Sequence, residues 1–315
     1  MKAVFHFRAS PVLQRRLSAS VPSWLTIEYV DESNVVDVSH ALSDADVLLH
    51  VLAPANAALL ACAPKLRLIQ KIGVGVNTID LVEARRRSVR VANMPGTNSQ
   101  AVCECTLALM LAVLRKIVSL DAATKLGKGW ALPLGSLDEA GEIAGKTVGL
   151  IGFGAIPRRL APILQALGAT VLFHARRIVT DPIGEQVPLK TLLAESNIVS
   201  LHVPLTDETN RMINESTLAT MRPGAILINT ARGGLIDEVA LCRALSSGRL
   251  RGVGLDVLDC EPASEGHPLF AMPNAVITPH VGWLTPETLD RSLEVIIENC
   301  TRLREGRELL NEITL

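Results

Sequence analysis

The fold is decided by residues 147–177, which read TVGLIGFGAIPRRLAPILQALGATVLFHARR. A short apolar run at residues 148–151 meets the turn Gly152-Phe153-Gly154. An amphipathic segment then covers residues 155–167, and a second apolar run follows at residues 171–173. Short apolar runs next to glycine turns indicate buried strands, and an amphipathic segment between them indicates a helix. The stretch therefore predicts a strand, a turn, a helix and a second strand.

This βαβ pattern is typical of a dinucleotide-binding unit. The first glycine of such a unit permits the sharp turn, and the second lets a pyrophosphate approach the backbone. Gly152 and Gly154 fit these roles, and Ala155 and Ile156 begin the helix whose first N–H groups attract an anion. Pro157 replaces the third glycine of the motif. Because proline suits the first helical turn but is bulkier than glycine, the sequence leaves the closeness of helix and strand open.

The residues after the second predicted strand indicate which cofactor is bound. NAD-binding units commonly place an acidic residue there, on the ribose hydroxyls. This chain instead has His174, Ala175, Arg176 and Arg177. No carboxylate repels a 2′-phosphate at this point, and two guanidinium groups are available to pair with one. The sequence therefore predicts NADP(H) as the preferred cofactor, with NAD(H) as the alternative.

Composition limits the class of protein. The chain has 315 residues, 48% of them hydrophobic, and a net charge of -1. This length favours two domains, and the charge gives no general attraction to nucleic acid or membranes. The N-terminus lacks a signal-peptide pattern, and Glu104 interrupts the longest apolar stretch. The six cysteines show no C-x-x-C spacing, so we expect reduced thiols, no metal site and a cytoplasmic location.

Alternating strand and helix patterns predict an α/β protein with two Rossmann-like or flavodoxin-like domains. Continuous apolar runs are typical of buried parallel strands. In the first part of the chain they lie at residues 2–7, 26–30, 47–51, 66–72 and 89–92. After the glycine turn they continue at residues 198–202, 225–229, 252–256 and 275–277. Helices are predicted for residues 99–114 and from residue 286 onward.

Further motifs carry a family resemblance. In the second half they read HVPLT (202–206), MRPGAILINTARGG (221–234), GLDVLDCEP (254–262) and TPHVGW (278–283), and in the first half GVGVN (73–77) and NMPGTN (93–98). Together they resemble the D-isomer-specific 2-hydroxyacid dehydrogenase family, in particular its glyoxylate and hydroxypyruvate reductase-like members. The resemblance covers nearly the whole chain. It implies a substrate domain of residues 1–97 plus 284–315, a dinucleotide-binding domain of residues 98–283, and an active-site cleft between them.

The family's catalytic trio corresponds to Arg232, Glu261 and His280. A planar guanidinium can bind the carboxylate and the carbonyl oxygen of a 2-keto acid together. An imidazolium can protonate the alkoxide that hydride transfer creates, and a carboxylate on its other nitrogen holds its orientation. We therefore expect Arg232 to bind substrate, His280 to exchange the proton, and Glu261 to orient His280. All three follow predicted strands, where open α/β sheets bind ligands.

The resemblance also implies binding roles for further residues. Asp256 resembles the family residue that holds the nicotinamide carboxamide, although a strand-end turn is the other interpretation. The backbone N–H groups of Gly75 and Val76 are expected to receive the substrate carboxylate. Trp283 is either a wall of the substrate pocket or a core aromatic residue. By position, the remaining residues that line the cofactor are Pro204, Thr230 and Ala231.

The expected substrate is a small or apolar 2-keto acid such as glyoxylate or hydroxypyruvate, and the expected direction is reduction. A phosphorylated substrate requires cations, but the loop at residues 51–56, VLAPAN, has none. The chain also ends at Leu315 without the regulatory domain of many phosphoglycerate dehydrogenases. Two alternatives remain: a phosphite dehydrogenase-like enzyme and a dinucleotide-sensing corepressor. The resemblance implies a homodimer, with the helix at residues 101–114 either in the interface or in the core.

Overall fold

The computed structural model describes residues 1–138, 140–180 and 182–314. The chain divides into two compact units, one of Met1–Asn98 with Leu284–Leu315 and one of Ser99–Trp283. Each unit has its own sheet, and the strand pairs in both sheets are parallel. The predicted α/β class with two parallel sheets is therefore confirmed.

The first unit has a five-stranded sheet flanked by helices. Its strands are β1 (Lys2–His6), β2 (Thr26–Val30), β3 (Val47–His50), β4 (Leu68–Lys71) and β5 (Arg90–Ala92). Its helices are α1 (Pro11–Ala19), α2 (Val35–Leu42), α3 (Ala57–Ala61), α4 (Leu81–Arg86) and α11 (Pro286–Glu305). The strand order β2-β1-β3-β4-β5 is that of flavodoxin-like folds, and it reverses direction between β1 and β3.

The second unit has a seven-stranded sheet. Its strands are β6 (Thr147–Ile151), β7 (Thr170–His174), β8 (Glu185–Gln186), β9 (Ile198–Leu201), β10 (Ala225–Asn229), β11 (Leu250–Leu255) and β12 (Ala275–Ile277). Its helices are α5 (Ser99–Leu114), α6 (Ile117–Lys125), α7 (Ala155–Ala166), α8 (Leu189–Glu195), α9 (Glu215–Thr220) and α10 (Glu238–Ser246). The order β12-β11-β10-β9-β6-β7-β8 places the reversal of a doubly wound fold between β6 and β9.

Helix α5 belongs to the core of the second unit. It buries one apolar residue after another, including Cys103, Leu109, Met110 and Leu114. These side chains join the cluster that contains Leu150 of β6. From the sequence, this helix could lie either in a dimer interface or in the core. Its packing within the unit is that of a core helix.

The segment after α5 presents apolar side chains to solvent instead. In the segment that follows α6, Leu126, Trp130 and Leu134 are 73%, 88% and 103% exposed. Exposed large apolar side chains grouped in this way commonly mark an interaction surface. Within the described residues, no helix is both long and apolar enough to cross a membrane. All six cysteines are free thiols.

Candidate active site

The glycine turn after β6 has the shape that a pyrophosphate requires. Gly152 has a φ of 97°, and a Cβ at this position would lie 2.6 Å from the carbonyl oxygen of His202, so only glycine fits. A Cβ on Gly154 would instead meet open space, which leaves the backbone accessible to a ligand. Gly154 is the N-cap of α7, and no described side chain caps this helix end. The first helical N–H groups, from Ala155 and Ile156, therefore fit an anionic dinucleotide.

Pro157 does not separate the helix from the sheet. It lies in the first turn of α7 and is buried there. Leu160 and Leu164 are buried behind it, and both join the core cluster that contains Val148 of β6. The question that the sequence left open is thus settled, because α7 packs on the sheet with proline in place of glycine.

The predicted 2′-phosphate site is a loop held by a glutamine. Arg176 and Arg177 follow β7 and are exposed. The Nε2 of Gln186, in β8, donates to the carbonyl oxygens of Ala175 at 3.1 Å and of Arg177 at 2.9 Å. Its Oε1 accepts from the backbone N–H of Val179 at 3.1 Å. The sequence analysis missed Gln186, since a strand of two polar residues gives no apolar pattern.

The loop after β9 contains Pro204, one of the residues expected to line the cofactor. The carbonyl oxygen of Pro204 accepts a hydrogen bond from the Thr209 hydroxyl at 2.7 Å. In the same loop, the hydrogen bond from Thr206 and, further down in size, the charge of Arg176 lower the pKa of Glu208. Arg176 thus makes a small electrostatic contribution to the lowered pKa of Glu208 in this loop.

Arg232 is positioned by a buried asparagine and a close backbone contact. Asn229, at the end of β10, is fully buried; its Oδ1 accepts from Ala231 N at 3.0 Å and its Nδ2 donates to Arg232 O at 2.8 Å. A Cβ on Gly233 would lie 1.9 Å from the carbonyl carbon of Leu258, so the two backbones touch. Burial lowers the pKa of Arg232, but an arginine stays charged at neutral pH. Asn229 was not predicted from the sequence. The signal that could have indicated it is its polar side chain at the end of an apolar strand.

Glu261 and His280 form a direct pair. Glu261 Oε2 lies 2.6 Å from His280 Nδ1, and Glu261 Oε1 accepts the backbone N–H of Leu258 at 2.9 Å. Burial raises the pKa of Glu261, but the hydrogen bond and charge of His280, the Leu258 N–H and the charge of Arg232 outweigh this effect, so the pKa is lowered. The carboxylate is therefore ionised at neutral pH. It can hold Nδ1 as a donor, which leaves Nε2 for chemistry.

Asp256 fixes the loop that carries His280. Its Oδ1 accepts from the Thr278 hydroxyl at 2.6 Å and from Val281 N at 3.0 Å, and its Oδ2 accepts from Gly282 N at 2.8 Å. These bonds lie on both sides of His280, whose φ of 56° is uncommon for a residue with a side chain. The structure thus gives Asp256, which is 3% exposed, a positioning role that the sequence analysis did not predict.

The other residues expected at the site lie at strand ends of the two units. In the second unit, the Thr230 hydroxyl lies 2.9 Å from that of buried Thr106, and the Trp283 Nε1 donates to His280 O at 3.1 Å. Trp283 is 7% exposed and supports the His280 loop. In the first unit, Gly75 and Val76 lie in the turn after β4.

The sequence of this chain is similar to those of known proteins. The family profile "D-isomer specific 2-hydroxyacid dehydrogenase, NAD binding domain" matches residues 107–282. A glyoxylate reductase of Aeropyrum pernix is 39% identical over 256 residues, covering 79% of this chain and 76% of that protein. A D-3-phosphoglycerate dehydrogenase of Mycobacterium leprae is 37% identical over 279 residues, covering 87% of this chain but only 52% of that protein.

Solved structures give the same result. The TT0316 protein from Thermus thermophilus superposes with a TM-score of 0.88 at 38% identity, with 100% of both chains covered. An acyclic imino acid reductase in complex with NADPH and D-Arg superposes with a TM-score of 0.81 at 29% identity, again with 100% of both chains covered. From the matched profile and these relatives, the chain belongs to the D-isomer specific 2-hydroxyacid dehydrogenase family, and it is an NAD(P)-dependent oxidoreductase that acts on the CH–OH group of donors.

Proposed function

We propose that this enzyme is an NADP(H)-preferring 2-keto acid reductase that acts on a small substrate such as glyoxylate or hydroxypyruvate. The observation that carries the proposal is the Glu261–His280 pair, whose side chains are 2.6 Å apart. The charge of Arg232 also contributes to lowering the pKa of Glu261. The similarity to glyoxylate reductases supports the substrate class. The proposal includes the physiological direction, reduction of the keto acid.

Each catalytic residue has a task that follows from its chemistry. When bound, the nicotinamide supplies the hydride for reduction of the carbonyl carbon. The Arg232 guanidinium orients the keto acid and stabilises the negative charge that develops on its oxygen. His280 Nε2 donates the proton to that oxygen, while Glu261 stabilises the protonated ring through Nδ1. In the oxidation direction, neutral His280 takes the proton from the hydroxyl group.

The remaining site residues are proposed to bind the ligands. Gly75 and Val76 would receive the substrate carboxylate through backbone N–H groups. The residues proposed to hold the cofactor are Gly152, Gly154, Ala155, Ile156, Ala175, Arg176, Arg177, Pro204, Thr230, Ala231 and Asp256. NADP(H) is favoured because Arg176 and Arg177 are exposed in the loop after β7 and can pair with a 2′-phosphate.

A substrate panel tests the reaction. We expect loss of NADPH absorbance with glyoxylate or hydroxypyruvate, and a higher kcat/KM than with 3-phosphohydroxypyruvate. Turnover of phosphite with NADP⁺ and not of keto acids would favour the phosphite dehydrogenase alternative. No turnover at all would contradict the reductase and favour the corepressor alternative.

A second measurement tests the cofactor. We expect kcat/KM to be higher with NADPH than with NADH, and Arg176→Ala to reduce this preference by about tenfold, the value of one charge-assisted hydrogen bond. Arg222→Ala, a change at another exposed arginine of the same unit, serves as the control and should leave the preference intact. Equal or NADH-favouring values for the wild type would contradict NADP(H) specificity.

A further inference from the structure

Three basic side chains form a row at the carboxyl end of the sheet in the first unit. The strand register pairs His6 of β1 with His50 of β3, and His50 with Lys71 of β4. They are 2%, 0% and 5% exposed. The row crosses the point between β1 and β3 where the strand order of this sheet reverses. Doubly wound sheets bind ligands near such a point, at the carboxyl ends of the strands.

The row continues a face of the sheet that is otherwise apolar. Strand side chains alternate between the two faces, so Lys71 shares its face with Ile69, and His50 with Leu48. Both of these apolar residues belong to the buried core cluster of the unit. An ammonium group at the end of such a core loses most of its hydration, so polar or charged neighbours must stabilise it.

The contacts of Lys71 connect the two loops that follow β3 and β4. Its Nζ donates a hydrogen bond to the carbonyl oxygen of Val51, where the loop after β3 begins. Its side-chain stem passes Gly73, since a Cβ on that glycine would lie 3.8 Å from Lys71 Cε. The loops are also joined to each other, because Ala55 N donates to Thr78 O at 2.8 Å. Lys71 therefore lies against Val51 and Gly73, at the start of the turn that contains Gly75.

The turn above Lys71 is held in place from the other side. The Nδ2 of Asn93 donates to Val74 O at 2.8 Å, and Met94 N donates to Gly73 O at 2.9 Å. Residues on both flanks thus fix the backbone of this turn, and a fixed turn keeps its N–H groups in one orientation. A cation beneath such a turn increases its attraction for an anion.

The two histidines of the row are neutral in this environment. Burial and the neighbouring charge of Lys71 lower the pKa of His50 to about 3. Burial also lowers the pKa of His6, against the opposing effect of Glu32. The histidines therefore supply polar atoms without charge, and the charge that acts on His50 within the row is that of Lys71.

We propose that Lys71 is a positioning residue for the substrate carboxylate: its buried charge, between Val51 and Gly73, sets the affinity of the Gly75–Val76 turn for an anion. The inference rests on the proposed reduction of 2-keto acids. The 51–56 loop contains no cation of its own, and Lys71 reaches the first residue of that loop from β4. The sequence signal was a lysine inside an apolar strand.

A charged and a neutral substrate, compared in two variants, separate the effect of the Lys71 charge from an effect on the structure. Lys71→Met removes the charge and the hydrogen bond to Val51, whereas Lys71→Gln keeps a donor and removes only the charge. With either variant, we expect kcat/KM for glyoxylate to fall by about tenfold to a hundredfold, and kcat/KM for the neutral methyl glyoxylate to change by less than about threefold. Lys71→Arg should restore much of the glyoxylate activity. Lys65→Met, at an exposed lysine of the same unit, should leave both substrates unaffected.

A parallel fall for acid and ester, or no fall for the acid, would overturn the proposal. If Lys71→Met does not fold, Lys71→Gln carries the same comparison. Failure of the proposed function can be distinguished from failure of the Lys71 proposal, because in the first case the wild type itself reduces no keto acid. In that case, calorimetric binding of oxalate to the protein with NADPH still tests Lys71: we expect Lys71→Gln to weaken it by about tenfold or more, and equal binding would overturn the inference.

Discussion

The carboxylate of Asp256 accepts the backbone N–H of Gly282 at 2.8 Å, and a Cβ on that glycine would lie 2.7 Å from the same oxygen atom. The loop that carries His280 can thus close on Asp256 only because residue 282 has no side chain. The position of the proton-transferring imidazole therefore depends on a contact two residues away.

Replacing this glycine should disturb both catalysis and folding. In Gly282→Ala, the added methyl group must displace Asp256 or the Cys105 sulfur, which would lie 3.1 Å away. We expect a loss of about 1–3 kcal/mol in unfolding free energy and a fall in kcat of about tenfold or more, because the loop shifts. Thermal melting and steady-state kinetics would measure both. Gly266→Ala is the matched control, since a Cβ there meets open space; unchanged kcat in Gly282→Ala would contradict the role of this contact.

Replacement by alanine should weaken cofactor binding at one glycine of the phosphate turn and lower stability at the other. Gly154→Ala adds a methyl group where the protein leaves open space, so stability should change by less than about 1 kcal/mol while NADPH binding weakens by about tenfold or more. Gly152→Ala meets both an unfavourable φ of 97° and the His202 carbonyl, so it should destabilise the fold itself. Melting curves without cofactor and fluorescence titration with NADPH would separate the two effects. Undiminished NADPH affinity in Gly154→Ala would place the cofactor phosphates elsewhere.

The pH dependence of stability should reveal the Glu261–His280 pair. The folded-state pKa of Glu261 is lowered, so the ionised carboxylate stabilises the fold above its ordinary pKa of 4.5. This contribution is lost as pH falls through the lowered folded-state pKa. In Glu261→Gln, the loss of unfolding free energy relative to wild type should therefore be larger at pH 7 than at pH 4, as measured by denaturant titration. Equal differences at both pH values would mean that the charge of Glu261 is not what stabilises the loop.

The exposed apolar residues after α5 should determine the oligomeric state. We propose that the protein is a homodimer and that Trp130 and Leu134 lie in its interface, because both side chains are almost fully exposed in one chain. Light scattering should give about twice the 33.8 kDa of the chain for the wild type and the single-chain mass for Trp130→Asp with Leu134→Asp. Val35→Asp, at an exposed valine of the first unit, is the control. A wild type of single-chain mass would contradict the dimer.

Local sequence patterns predicted many of the strands and helices, but few of the hydrogen bonds that position the site residues. The βαβ stretch at residues 147–177 was predictable because its apolar runs and glycines are contiguous, and β10 and β12 begin and end where the apolar pattern does. Strand β8 was missed, since Glu185 and Gln186 have no apolar side chain. Glu261 and His280 were identified from motifs, and the structure places them in contact.

The supporting contacts depended on tertiary structure. Asp256 reaches residues more than twenty positions later in the chain, and the Gln186 amide reaches back to Ala175, so neither contact has a local pattern. Lys71 lies within an apolar strand, and only the strand register places it beside His50. The family resemblance therefore predicts the reacting groups, while their orientation requires the fold.

The backbone contact between Gly233 and Leu258 has a consequence for how this enzyme can diverge. Since the residue after Arg232 touches the segment that leads to Glu261, a change of spacing in one loop must be matched in the other. Mutational drift toward new substrates is therefore expected to spare the reacting groups and to accumulate in segments without such a contact. In laboratory evolution, selectivity should be sought first among residues 52–54, which precede the buried Ala55 and the helix cap Asn56.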